Sequence, residues 1–289
     1  MTPLEIVQLP LLMERTQGSP DVMVGLVDGP VAMTHPDLAG ARIREVPGEL
    51  AGTCARANSA ACQHGTFVAG VLTAKRNSPA PAICPGCTLL VRPIFTEAAS
   101  RNGEMPSATP EALAGAIIDC IKAGACVLNL SVALAHPSSA GERDLEEALD
   151  LAARRSVLVV AAAGNQGTLG SSVITRHPWV IPVAACDQQG RPLSSSNLGR
   201  SIGRRGLTTP GDAITSLSAE GGPLTLGGTS VAAPFVTGAI ALLWSEFPGA
   251  TAALVKFAVT RAATPRRRCV VPPLLDAWAA HHALATGHS

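Results

Sequence analysis

The chain has 289 residues, 47% of them hydrophobic and 15% charged, with 22 Lys and Arg against 21 Asp and Glu for a net charge of +1. That length and apolar content suffice for one large domain with a sizeable buried core. The near-neutral charge implies neither nucleic acid nor an anionic membrane as partner, and no apolar run is long enough to span a bilayer. No linker-like stretch divides the chain, so a single domain over residues 1–289 is expected, with its core at about 8–284 and a short C-terminal tail at 285–289. The opening Met1-Thr2-Pro3-Leu4-Glu5-Ile6 lacks the basic region and apolar core of a secretion signal, which points to a cytoplasmic protein.

In chain order, residues 22–27 (Val-Met-Val-Gly-Leu-Val) are a continuous apolar run of the kind that forms a fully buried parallel strand. Asp28 follows at its carboxyl end, before a Gly29-Pro30 turn. Open α/β sheets place their sites beyond such strand ends. Gln63-His64-Gly65-Thr66 opens an apolar helix over 64–74, so His64 is expected at a helix start with its ring free. Further strands are predicted at 88–95, 125–130, 156–161 and 179–184, and further helices at 110–123, 141–154 and 233–247. This alternation predicts an α/β fold with a mainly parallel central sheet covered by helices on both faces. Arg266-Arg267-Arg268 reads as a solvated loop before Pro272-Pro273 and a closing helix around Leu275 to Leu284.

Residues 226–234, Leu-Gly-Gly-Thr-Ser-Val-Ala-Ala-Pro, form a glycine-rich turn that delivers Ser230 to the start of an apolar helix. Pro234 is expected in the first turn, where its missing N–H costs nothing. A helix N-terminus offers unpaired N–H groups and partial positive charge to a developing oxyanion. Each feature also has a plain structural reading: the Gly-Thr-Ser turn as an ordinary N-cap, Asp28 as a turn residue, His64 as a structural histidine. Together they supply a nucleophile, a base to take its proton, and a carboxylate to orient the base.

Four segments carry a family resemblance: Val27-Asp28-Gly29, His64-Gly65-Thr66-Phe67-Val68-Ala69-Gly70, Ala161-Ala162-Ala163-Gly164-Asn165-Gln166-Gly167 and Gly228-Thr229-Ser230-Val231-Ala232-Ala233-Pro234. They resemble, in order, the signature blocks of the subtilisin-like serine proteases, whose Asp, His, Ser order is itself a standard example. The resemblance runs from about residue 8 to the C-terminal region and implies the three-layer subtilisin-like fold. It implies Asp28, His64 and Ser230 as catalytic residues and the Asn165 side-chain amide, with the Ser230 N–H, as the oxyanion hole. It also implies that Asn129-Leu130-Ser131-Val132-Ala133 is a strand whose exposed edge pairs with an extended peptide, with substrate contacts at Ser131, Val132 and Ala133, and that Ala162-Ala163-Gly164 form the opposite wall of the specificity pocket, with contacts at Ala163 and Gly164. Residues 100–106 would line the other side of the peptide. Ala133 and Leu134 stand where the family commonly has two glycines, a change read either as a narrowed pocket or as family drift.

No cofactor and no metal are expected. Asp37 matches a family calcium-ligand position, but the loop that should supply the other oxygens reads Lys75-Arg76-Asn77-Ser78-Pro79-Ala80-Pro81, shortened and basic. Of the eight cysteines, Cys54/Cys62, Cys84/Cys87 and Cys120/Cys126 are near in sequence. Without a secretion signal the expectation is free thiols. Cys84-Pro85-Gly86-Cys87 resembles half a zinc site with no second half nearby.

A narrower resemblance rests on Val27-Asp28-Gly29-Pro30-Val31, His35-Pro36-Asp37-Leu38, Gln63-His64-Gly65-Thr66, Arg92-Pro93-Ile94-Phe95 and Val270-Val271-Pro272-Pro273-Leu274-Leu275. These are similar to the cyanobactin-maturation subtilases of the PatA and PatG type, which process ribosomally made precursor peptides inside cells. The macrocyclising members carry a helical insertion between the catalytic Asp and His. The stretch from Asp28 to His64 has no room for one, so hydrolysis is favoured over ring closure. The expected function is therefore a serine endopeptidase acting on a peptide or protein substrate, a ribosomal precursor peptide included, by leader or follower removal. A general intracellular degradative subtilase, a peptide transamidase or macrocyclase, and an inactive peptide-binding module are the alternatives.

Overall fold

A computed structural model describes residues 1–98, 107–131, 141–261 and 269–287. In chain order the elements are α1 (Pro3–Ile6), α2 (Leu9–Arg15), β1 (Met23–Asp28), β2 (Arg42–Glu45), α3 (Ala60–Thr73), β3 (Thr88–Pro93), α4 (Pro110–Lys122), β4 (Val127–Leu130), α5 (Glu142–Arg154) and β5 (Leu158–Ala162). They continue with α6 (Val173–Arg176), β6 (Val180–Cys186), α7 (Arg200–Arg205), β7 (Leu207–Pro210), β8 (Ile214–Leu217), β9 (Pro223–Leu226), α8 (Thr229–Glu246), α9 (Ala252–Arg261) and α10 (Ala277–Gly287). Residues 100–106, Val132, Ala133, Leu134 and Arg266-Arg267-Arg268 lie outside the described residues.

The apolar strands assemble as a seven-stranded sheet in the order β2-β3-β1-β4-β5-β6-β7. Every adjacent pair in it is parallel. Side chains alternate between two cores. Val24 and Leu26 of β1, Val127 of β4, and Leu158 and Val160 of β5 join α2, α3, α8, α9 and α10 on one face. Val27, Leu128, Leu130, Val159 and Ala161 join α4 and α5 on the other. Burial on both faces is what makes these strands read as continuous apolar runs. The three-layer architecture is the one expected from the alternation of elements.

The order places β1 between β3 and β4, so the chain goes first to the edge strand β2, comes back to β3 beside β1, and then continues on the other side of β1 from β4. The carboxyl end of β1 is thus a topological switch point, where connections diverge and leave a crevice. Asp28 stands there. The antiparallel hairpin β8–β9 packs beside α3 and leads directly into α8.

Several boundaries differ from expectation. Helix α3 begins at Ala60, because the Ser59 hydroxyl accepts from Cys62 N–H and caps it there; His64 therefore sits in the second turn, not at the helix start. Helix α10 runs to Gly287, beyond the expected stop near Leu284. Cys54 and Cys62 form a disulfide, contrary to the expected free thiols. The cause is tertiary: a parallel bridge between Val31 and Thr53 holds Cys54 beside the first turn of α3, which carries Cys62, with the two Cα atoms 5.6 Å apart. Cys84, Cys87, Cys120 and Cys126 are free. No described helix is long and apolar enough to cross a membrane.

Candidate active site

Asp28 closes β1 and is fully buried. Its Oδ1 accepts from Gly29 N–H at 2.6 Å and faces His64 Nδ1 at 2.7 Å. A carboxylate only accepts, so Nδ1 carries the proton and Nε2 is left to accept from the Ser230 hydroxyl, 2.9 Å away. Two glycines permit this approach. A Cβ on Gly29 would lie 1.9 Å from the Ala61 carbonyl oxygen, and one on Gly65 would lie 2.4 Å from the carbonyl oxygens of Gly29 and Pro30. Helix α3 can reach the end of β1 only because both side chains are missing.

Burial by itself would lower the His64 pKa, but the Asp28 charge and hydrogen bond outweigh it, and the net shift is upward from 6.5. Asp28 Oδ2 is buried with no hydrogen-bond partner among the described residues. The carboxylate is therefore neutralised mainly through His64, an arrangement that favours a proton on the imidazole.

Ser230 is the second residue of α8, behind Gly228 at φ +121°. Pro234 lies inside the helix, not in its first turn as expected. It cannot donate to the Ser230 carbonyl four residues earlier. Ser131 Oγ donates to that oxygen at 3.2 Å instead, and itself accepts from Asn129 Nδ2 at 2.7 Å. Asn129 Oδ1 in turn accepts from Thr237 Oγ1, two turns beyond Ser230 on α8. A chain of side-chain bonds from the middle of the sheet thus compensates for the proline beneath the serine.

Asn165 is exposed at the mouth of the loop after β5. Its Oδ1 accepts from both the N–H and the hydroxyl of Thr229, at 2.9 and 3.0 Å. Because a backbone N–H can only donate, the amide orientation is fixed and Nδ2 is the remaining donor. Neither Asn165 Nδ2 nor the Ser230 N–H donates to any group among the described residues. Two adjacent unused donors beside a hydroxyl can receive the negative oxygen of a tetrahedral adduct.

The expected substrate contacts are divided. Asn129 and Leu130 are not on an exposed edge, because β4 is paired on both sides, with β1 and with β5. Ser131, 5% exposed, turns its hydroxyl under Ser230. Val132 and Ala133 lie outside the described residues. Ala163 and Gly164 do border the site: Gly164 N–H donates to Thr229 Oγ1 at 3.1 Å, and Asn197 bonds the carbonyls of both residues.

The basic loop after α3 engages backbone carbonyls: Lys75 Nζ donates to Pro36 O at 2.8 Å, while Arg76 donates to those of Met13, Thr16 and Ile83. Among the described residues Cys54, Cys62 and Glu97 group their donor atoms within 4.8 Å. The two sulfurs are joined to each other and Glu97 accepts from Ala55 and Arg56 N–H, so this group is a structural clasp.

Sequence reasoning missed Thr229, Thr237 and Asn197. Thr229 ties Asn165 and Gly164 to the serine's helix, and Asn197 Oδ1 accepts from Gln166 N–H and from the N–H and hydroxyl of Thr168. Thr229 stood beside the nucleophile in the motif; nothing local marked the other two.

The subtilase family profile matches residues 19–277. Subtilisin DY of Bacillus licheniformis is 31% identical over 252 residues, 84% of this chain and 84% of that protein. Subtilisin Savinase of Lederbergia lenta is 32% identical over 246 residues, 84% and 83% of the two chains. Among solved structures, a mutant of the protease domain of PatA superposes with a TM-score of 0.84 at 33% identity, covering 93% of this chain and 97% of that one. The prenylagaramide maturation protease PagA gives 0.82 at 30%, covering 96% and 98%. PatG macrocyclase, at 22% identity and a TM-score of 0.81, shares the fold. With a serine, a histidine and an aspartate bonded in series at the switch point of a sheet that these enzymes share, and with matches spanning most of its length, the chain belongs to the subtilase family of serine endopeptidases.

Proposed function

We propose that this protein hydrolyses peptide bonds in ribosomally synthesised precursor peptides, removing leader or follower segments through an acyl-enzyme on Ser230. The unbroken series Asp28–His64–Ser230, at 2.7 and 2.9 Å, carries the reading. His64 Nε2 takes the Ser230 proton as Oγ attacks the scissile carbonyl, and Asp28 stabilises the imidazolium that forms. Asn165 Nδ2 and the Ser230 N–H hold the oxyanion. His64 then gives its proton to the leaving amine, and a water repeats the sequence to free the acid. Ala163 and Gly164 wall the specificity pocket. The likeness to PatA and PagA supports a precursor peptide as substrate. Between Asp28 and His64 the chain has β2 and one short turn at Pro36–Leu38 ahead of α3, with no helical pair to shield an acyl-enzyme, which supports water as the acceptor.

Two experiments test this. Fluorophosphonate treatment followed by intact mass should give one adduct on the wild type and none on Ser230→Ala, with both folded; no adduct on folded wild type overturns the assignment of Ser230. Digestion of a cyanobactin-type precursor peptide in 18O-labelled water should release linear acids carrying the label. Cyclic or amine-captured product would make the protein a transamidase, and equal cutting of unrelated unfolded proteins would make it a degradative enzyme.

A further inference from the structure

The turn Cys84-Pro85-Gly86-Cys87 has no part in the site above. Both cysteines are free and nearly buried, at 1% and 2% exposure. Cys87 N–H donates to Cys84 O at 3.0 Å, closing a reverse turn that brings its ends within disulfide reach. Cys87 Sγ lies 4.0 Å from Ser245 Oγ on α8.

The pair is polarised. The neighbouring Cys84 thiol holds Cys87 below the ordinary thiol range against the effect of burial, and the Cys87 thiol together with burial holds Cys84 well above it. The other buried thiols behave differently: burial pushes Cys120 and Cys186 up to about 12. Pro85 and Gly86 are only partly buried and form one wall of a cavity of about 520 Å³. Arg42, Lys75 and Arg76 line the same cavity with Asp37, and the Arg76 charge acts on Cys84, partly offsetting the upward push of burial there.

We propose that Cys84 and Cys87 form a redox-active dithiol, a modification site for hydroperoxides that is separate from the Ser230 centre. The sulfurs lie behind their own turn in a space without room for a water-sized molecule, so only a small oxidant admitted by opening of that turn reaches them. The Cys87 thiolate attacks one peroxide oxygen, the O–O bond breaks, and hydroxide leaves as Cys87 becomes a sulfenic acid. Cys84 sulfur then attacks Cys87 sulfur, the S–O bond breaks, and the departing hydroxide takes the Cys84 proton as water. In sum, two thiols become one disulfide with loss of two hydrogens, and one hydrogen peroxide becomes two waters.

The test is peptide mass mapping of the full chain, reduced under native conditions, desalted, exposed to hydrogen peroxide, and then alkylated after denaturation. The expected result is a peptide spanning both cysteines that has lost two hydrogens and takes no alkyl group, is restored by a phosphine, and forms while Cys120 and Cys186 still alkylate fully. Cys84→Ser should stop at a Cys87 sulfenic acid captured by dimedone. Alkylation of Cys84 and Cys87 to the same extent as Cys120 after peroxide overturns the proposal. Fluorophosphonate uptake by Ser230, measured in parallel, reads the folded state independently.

Discussion

His64 serves two masters at the residue scale: Asp28 raises its affinity for a proton, while general-base attack requires that proton to be absent. Since the shift is upward from 6.5, the rising limb of kcat/KM against pH is expected above that value, and Asp28→Asn should lower the whole curve. A limb at or below the ordinary imidazole value would contradict the upward shift. The same shift has an opposite sign for stability. A folded-state pKa above the unfolded one contributes stability that is fully present below the unfolded value and lost as pH rises through the folded one, so activity grows as this contribution fades. Asn165 allows a cleaner separation. Asn165→Ala removes one unused donor and is expected to lower kcat by about a hundredfold to a thousandfold with little change in KM. Because its Oδ1 also holds Thr229, Asn165→Asp would keep that acceptor and lose the remaining N–H, and should be as poor a catalyst.

Elements meet here at distances that only particular residues allow. Helix α3 and strand β1 touch through Gly65 and Gly29, where an added Cβ would fall 2.4 and 1.9 Å from backbone oxygens. Backbone cannot yield as a side chain can, so Gly65→Ala should push α3 away from Asp28 and destabilise the fold by about 1–3 kcal/mol. Activity should fall further than the folded fraction, measured by circular dichroism against turnover; loss of activity no greater than loss of folded protein would show that the approach does not set the His64–Asp28 geometry. Helix α8 shows the same dependence in another form. Its proline removes a donor beneath Ser230, and the Thr237–Asn129–Ser131 series fills the gap from β4.

The whole molecule is fastened by one contact remote in sequence and one local clasp. Arg15 of α2 pairs with Glu246 of α8 at 2.8 Å, and Cys54–Cys62 fastens the loop after β2 to the helix that carries His64. A bridge closing so short a loop contributes about 2–3 kcal/mol. Replacing both cysteines by serine is therefore expected to lower the denaturation midpoint measured by calorimetry, and an unchanged midpoint would show that the loop is already fixed by Glu97 and the Val31–Thr53 bridge. The sequence alone determined five of the sheet's seven strands, the main helices between them, and the Asp28, His64, Asn165 and Ser230 segments, because continuous apolar runs and glycine-flanked polar residues are local signals. The edge strands Arg42–Glu45 and Leu207–Pro210, the β8–β9 hairpin and the short helices α1, α2, α6 and α7 escaped it, being too short or too polar to show a period, and α9 (Ala252–Arg261) escaped it as well. Tertiary structure decided the rest: that Ser131 supports the nucleophile from below, that Asn129 is walled in by two strands, that His64 lies in a second helical turn, and that Cys54 meets Cys62. Each depends on which distant backbone arrives beside a residue, and no local pattern of side chains encodes that.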